Sequence, residues 1–132
     1  MERNQEPRLT FIDTHIAVWL CAEKRRSLPA KTVAAIEEGW LAISPMVALE
    51  LDFLHEIGRI KVGSAGVLNA LSGLPLHIDQ TPFHAVAQAA GTQTWTRDPF
   101  DRMIVGQAIA AGGWLVTADE RIRQQFPQAI WD

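Results

Sequence analysis

Five acidic residues stand where the chain changes character. Asp13 closes the apolar run Leu9-Thr10-Phe11-Ile12, and Asp119 follows Trp114-Leu115-Val116 after Thr117 and Ala118. Asp98 and Asp101 flank Pro99-Phe100, and Glu50 lies five residues beyond Pro45. From Asp13 to Glu50 is 37 residues, from Glu50 to Asp101 is 51, and from Asp101 to Asp119 is 18. Carboxylates gathered in one cleft raise one another's pKa unless a cation neutralises them. The donor set is hard oxygen, with a single cysteine and no clustered histidines. It suits Mg²⁺ or Mn²⁺ rather than zinc. The matching chemistry is metal-assisted phosphoryl transfer or phosphodiester hydrolysis.

Each acid also has a structural reading. Asp98 precedes a proline and is a strong helix N-cap. Asp119 can cap the segment from Glu120, and Asp13 can be a turn residue at a strand end. Glu37, Glu38, Asp52 and Glu56 read as solvated helix-face charges. What favours chemistry is the joint occurrence of the acids at ends of consecutive elements.

The elements that must position them alternate. Leu9–Ile12 reads as a strand and His15–Lys24 as a helix. Pro29 opens a second helix that stops at Gly39. Leu41–Ser44 reads as a strand, and Ser44-Pro45 caps a helix with Val47, Leu51 and Leu54 on one face, ending at Gly58. Ser64–Leu71 is a further helix and Leu76–Ile78 a strand. Pro82 opens a helix through Ala90, closed by Gly91. Asp98-Pro99 opens another, to Ala111, closed by Gly112-Gly113. Trp114–Val116, Glu120–Gln125 and Ala129–Trp131 complete a strand, helix, strand sequence. Short strands alternating with helices predict an α/β domain with a parallel sheet. Such sheets place their sites beyond the carboxyl ends of the strands.

The chain has 132 residues, 48% of them hydrophobic, which fits one domain with its own core. Residues 1–8 read as a flexible polar leader and 9–132 as the domain. A lone Cys21 in an apolar stretch excludes an internal disulfide and a zinc-finger frame, reads as a small buried residue, and suits a reducing cytoplasm. The longest apolar run, Ala108–Val116, is far short of the ~20 residues of a membrane span. Net charge is −3, which by itself argues against a nucleic-acid binder. Setting aside Asp13, Glu50, Asp101 and Asp119 leaves 12 basic against 11 acidic residues, a balance of +1.

Four segments carry a family resemblance. Phe11-Ile12-Asp13-Thr14-His15 resembles the opening signature of PIN-domain ribonucleases, and Ser44-Pro45 through Glu50-Leu51 resembles their second acidic segment. Arg97-Asp98-Pro99-Phe100-Asp101-Arg102-Met103-Ile104-Val105 resembles the RDPFDR motif of VapC-like toxins. Leu115-Val116-Thr117-Ala118-Asp119-Glu120-Arg121-Ile122 resembles their LVTADERI segment. The order and spacing agree from residue 9 to the end. The resemblance implies a three-layer α/β/α PIN-like fold with a parallel sheet of about five strands. It implies a Mg²⁺- or Mn²⁺-dependent endoribonuclease, the toxin of a type II toxin–antitoxin module, held by a small antitoxin and often dimeric. The acids carried over are Asp13, Glu50, Asp101 and Asp119, with Asp98 more peripheral and Thr117 bordering the acidic pocket. One departure is Thr96, where this subgroup commonly has His. Trp95 is also unusual there, with packing and base stacking both open.

The expected mechanism has Asp13, Asp101 and Asp119 holding the ion, with Glu50 supporting it or orienting the attacking water. Single-stranded or looped RNA is the expected substrate, because folded RNA exposes its bases there. Arg97 and Arg102 are the candidate phosphate contacts. Arg121 and Arg123 fit either that role or a plain surface one. Trp19, Leu20 and Trp40 are candidates for an antitoxin groove or for the core. The competing reading is a non-catalytic PIN-like module that binds protein or RNA, in which the acids only cap helices. A phosphotransfer receiver ranks below both, since Lys24, Lys31 and Lys61 are all far from the late strand where it needs a lysine.

Overall fold

The computed structural model describes residues 8–23 and 25–132. The expected leader, apart from Arg8, and the expected helix end at Lys24 lie outside the described residues. Five strands form one sheet: β1 (Leu9–Ile12), β2 (Trp40–Ile43), β3 (Leu76–Ile78), β4 (Trp114–Val116) and β5 (Ala129–Ile130). Their order is β3-β2-β1-β4-β5 and every pairing is parallel. Register pairs Leu9 with Trp40, Thr10 with Trp114, Leu41 with Leu76 and Leu115 with Ala129. With helices on both faces, the sheet is the middle layer of an α/β/α fold. The chain runs outward from β1 to β3, then returns to lay β4 against the other side of β1. Thus β1 and β4 bound the point where strand order reverses, which is where such sheets open a crevice.

The helices are α1 (Thr14–Cys21), α2 (Ala30–Glu38), α3 (Pro45–Glu56), α4 (Ser64–Ala70), α5 (Phe83–Gly91), α6 (Pro99–Ala111) and α7 (Glu120–Gln125). Cap chemistry sets several of their starts. Ser44 Oγ accepts from Met46 N–H at the head of α3. Asp98 Oδ1 accepts from Phe100 and Asp101 N–H at the head of α6. Gly112 ends α6 in the left-handed region at φ 72°, which glycine adopts without a Cβ penalty. Gly106 answers a different need. A Cβ there would lie 2.8 Å from Ala90 N and 2.9 Å from Val86 O, so glycine lets α6 press directly on α5.

The core fills both sides of the sheet. Phe11, Ile12, Leu41, Ile43, Leu115 and Val116 from the strands are closed off from solvent with Ile16, Val47 and Leu51 from the helices. Runs apolar at nearly every position are what a strand covered on both faces requires.

Several details differ from the sequence reading. β2 begins at Trp40 and ends at Ile43, since Ser44 has turned to cap α3. A 3₁₀ turn, Arg25–Ser27, was not anticipated. Cys21 is half-buried against the core rather than sealed in it. Asp52 is more than a solvated charge. Its carboxylate accepts from Ser64 N–H at 2.7 Å and from Ser64 Oγ at 3.0 Å, tying α3 to the start of α4. These two bonds hold its pKa below the ordinary carboxylate value.

Candidate functional site: an acidic pocket at the sheet's carboxyl edge

Asp13, Glu50, Asp101 and Asp119 line one small pocket of about 30 Å³, together with Thr14, His15, Ile104 and Ile122. Four distant segments therefore converge as the spacing argument required. Asp13 continues directly from β1 and its N–H donates to Val116 O of β4 at 3.2 Å, so it sits at the switch point. Its Oδ1 accepts from Ile16 N–H at 3.0 Å and caps α1. Asp119 Oδ1 does the same for α7, accepting from Ile122 N–H at 3.0 Å. Capping and site membership are thus compatible: each cap bond engages Oδ1, and both residues still line the pocket. Asp101 has no capping duty. It lies in the first turn of α6, where Asp98 holds the helix end.

Glu50 reaches the pocket from the middle of α3. Thr14 Oγ1 donates to its Oε1 at 2.6 Å, fixing the carboxylate beside β1. Thr117 is fully buried. Its hydroxyl accepts from Asp119 N–H at 3.1 Å and stands close enough to Asp13 to favour that carboxylate's ionised form.

The electrostatics follow from this crowding. Burial pushes the Asp101 carboxyl up, and the charges of Asp98, Asp119, Glu50 and Asp13 push it further, to about 7. Burial also raises Asp13, and Asp119 adds to this. Hydrogen bonds from Thr117 and Ile16, and the nearby His15, oppose the rise without cancelling it.

The basic candidates are placed differently from one another. Arg97 is exposed. Arg102 Nε donates to Thr96 O at 2.8 Å, and Arg121 donates to Trp95 O. Both therefore brace the loop between α5 and α6. Trp95 packs against the core and donates its Nε1 to Gln93 Oε1 at 2.8 Å. Arg123 pairs with Asp132 at 3.6 Å. Leu20 is core, Trp19 packs against Trp131, and Trp40 is exposed beside His77. A larger concavity, about 750 Å³, lies at the opposite edge, near Arg8, Lys31, Trp114 and Trp131. Volume favours that edge, but the convergent acids are at the other.

A PIN-domain family model matches residues 10–125. The chain belongs to the PIN-domain family. Ribonuclease VapC22 of Mycobacterium tuberculosis is 33% identical over 127 residues, covering 92% of this chain and 97% of that protein. Among solved structures, VapBC2 from Rickettsia felis, bound to a DNA fragment from their promoter, aligns with a TM-score of 0.64 at 20% identity. It covers 94% of this chain and 99% of that one. A toxin-antitoxin complex from Klebsiella pneumoniae aligns at 0.59 and 17% identity, covering 92% of this chain and 95% of that one. At such identities these structures establish the shared fold.

Does this PIN domain's pocket suit a metal ion? The donors are carboxylate oxygens, the surplus charge is negative, and the volume is on the scale of a water-sized species. These properties fit a hard divalent cation. Among the described residues, no three His, Cys, Asp or Glu side chains converge tightly enough to chelate an ion as they stand. Binding therefore requires side-chain adjustment within the pocket.

Four residues at or behind the site escaped the sequence reading: Thr14, which holds Glu50, and Ser44, Asp79 and Gln107. The sequence places Ser44 at a strand end and as a cap, without its side-chain partner Gln107. Gln107 carried a signal, since it is a lone amide among Met103, Ile104, Val105, Ala108 and Ile109. Asp79 directly follows β3, the same edge position that marked Asp13.

Proposed function

We propose that this chain is a divalent-metal-dependent endoribonuclease, the toxin of a type II toxin–antitoxin module. The observation that carries this is the convergence of Asp13, Glu50, Asp101 and Asp119 on one pocket, with Asp101 raised to about 7 by burial and by its acidic neighbours. The 33% identity to a VapC ribonuclease supports it. Asp13, Asp101 and Asp119 hold Mg²⁺ or Mn²⁺, and Glu50 supports the ion or orients water. When bound, the ion lowers the pKa of water and neutralises charge on the scissile phosphate. The chain's own residues do the rest. Thr117 secures the turn that carries Asp119, Thr14 fixes Glu50, and Asp98 secures the helix that carries Asp101. The exposed Arg97 binds a flanking phosphate of single-stranded or looped RNA, and Arg102 supports the same strand with the nitrogens not bound to Thr96.

Residues 9–132 act as one domain behind a short leader, in the cytoplasm. Among the described residues no helix is long and apolar enough to cross a membrane. The partners are a small antitoxin, as in the VapBC complexes of the same fold, and a second copy of this chain.

The test is RNA cleavage by purified protein with Mg²⁺, comparing wild type with Asp13→Asn and Asp101→Asn. Asparagine still caps a helix, so Asp13→Asn spares the fold while removing charge. Loss of cleavage in both variants is the expected result, and full cleavage by either overturns the assignment. Co-purification with the product of the adjacent reading frame tests the antitoxin.

A further inference from the structure

Behind the acidic pocket runs a polar chain through the core. Ser44 and Gln107 are 1% and 3% exposed. Ser44 Oγ donates to Gln107 Oε1 at 2.8 Å, and Gln107 Nε2 donates to Asp79 Oδ2 at 2.7 Å. Asp79 is anchored in turn: its N–H donates to Ile43 O at 2.9 Å and its Oδ2 accepts from Thr81 N–H at 3.2 Å. An ionised carboxylate only accepts, so Asp79 fixes which end of the Gln107 amide faces it. The carbonyl end then faces Ser44, whose hydroxyl must donate. That leaves a Ser44 lone pair for Met46 N–H, the bond that starts α3. Partial burial works to raise the Asp79 pKa, yet its hydrogen bonds from Thr81 and Gln107 outweigh this and hold it below the ordinary value. Its ionised form, which the chain needs, is therefore the stable one at neutral pH.

Buried polar groups in a core are costly unless fully paired, and an apolar residue at 107 would fill the same space. The placement of the two acids explains what the amide does there. From Ser44 the helix α3 runs six residues to Glu50, and from Gln107 the helix α6 runs back six residues to Asp101. At roughly 1.5 Å per residue each leg is about 9 Å. The Ser44–Gln107 bond therefore joins the two helices at matched distances from the carboxylates they deliver. A hydrophobic contact at this point would let α3 slide along α6, whereas a directional bond does not.

We propose that Gln107 is a positioning residue of the site, which by linking Ser44 to Asp79 sets the register of α3 against α6 and so the separation of Glu50 from Asp101. This rests on the reading of those acids as a metal-dependent nuclease site. The test compares wild type, Gln107→Met and Asp79→Asn. It uses RNA-cleavage kinetics and Mn²⁺ binding by isothermal titration calorimetry, with circular dichroism to verify folding. Misplacement of about 1 Å in a site can cost on the order of 10²-fold in rate. For folded Gln107→Met the expectation is at least a tenfold (about 10×) loss in kcat and in Mn²⁺ affinity, with KM for RNA within about twofold. A purely structural role predicts lower thermal stability with both quantities within about twofold of wild type, and that result overturns the proposal. Should Gln107→Met not fold, Asp79→Asn decides. It keeps shape but frees the amide to reverse, so a drop of about threefold or more in Mn²⁺ affinity supports the proposal and wild-type affinity overturns it. Wild type that neither binds Mn²⁺ nor cleaves RNA overturns the nuclease reading itself, a result distinct from either variant's.

Discussion

Asp101 is where charge, burial and function meet. Its carboxyl stands at about 7 because it is partly buried and faces four other acids. Removing its charge separates two effects that a simple structural residue would not separate. Asp101→Asn should reduce RNA cleavage about 100-fold or more, in line with the loss of a charge-stabilising group at a reacting phosphate. In chelator the same variant should melt at a higher temperature than wild type, because like-charge repulsion is relieved. A lower melting temperature with activity retained would show that Asp101 serves the fold alone. The pH dependence follows from the same shift. Ionisation of this group is easier in the unfolded chain, where it has its ordinary value of 3.8, than in the folded chain, at about 7. In chelator its contribution to stability is therefore full below about pH 4, declines as pH rises towards 7, and levels off above. Buried Asp13 acts in the same direction. Thermal melts in chelator should show wild type losing stability between pH 5 and pH 7.5, and Asp101→Asn losing less.

At the scale of elements, caps and close contacts deliver the acids. α1, α6 and α7 each begin on a capping aspartate, so the aspartates that face or flank the pocket also fix where these helices start. That economy explains why structural and chemical readings of Asp13, Asp98 and Asp119 could not be separated by residue type alone. The Ser-Pro and Asp-Pro signals placed the starts of α3 and α6 correctly, because cap chemistry is local and needs no tertiary contact. Register between helices is not local. Gly106 looks dispensable in the sequence, yet it sets how closely α6 approaches α5. Gly106→Ala should destabilise the protein by about 1–3 kcal/mol, the usual range for overpacking, measured by urea denaturation. An unchanged midpoint would mean that α5 shifts freely, and that the seating of α6 depends on other contacts.

For the whole molecule, the sheet order makes the site. Placing β4 beside β1 brings Asp119 and Thr117 next to Asp13, although more than 100 residues separate the two strands along the chain. A cation binding only the folded arrangement must stabilise it by mass action, about 2.7 kcal/mol at a hundredfold excess over Kd. Mg²⁺ should therefore raise the melting temperature at pH 7.5, should do so less at pH 5, where Asp101 is protonated, and should have little effect on Asp101→Asn. An equal effect on both proteins would place the ion elsewhere. The net charge of −3 also changes meaning at this scale, since four of the acids face one pocket and the rest of the chain is close to neutral.

The sequence by itself determined the elements and the acids. Apolar runs, caps and glycine stops are written in neighbouring residues, so the five strands and seven α-helices of the described residues were legible to within a residue or two at most ends. Asp13, Asp101 and Asp119 were legible as acids at strand and helix ends, and Glu50 as the acid of a helix opened by Ser44-Pro45. Only the tertiary structure decided which side chains hold them. Thr14 on Glu50 and Gln107 between Ser44 and Asp79 are partnerships over long chain separations, and Thr117 comes beside Asp13 only because β4 pairs with β1. Arg102, read from its neighbours as a phosphate contact, and Arg121, left open between that role and a surface charge, both donate to backbone carbonyls of the loop before α6. The physical reason is range. Backbone conformation follows from local sterics and hydrogen bonding, whereas the partner of a buried polar group is chosen by whatever the packed sheet and helices bring within 3 Å or so of it.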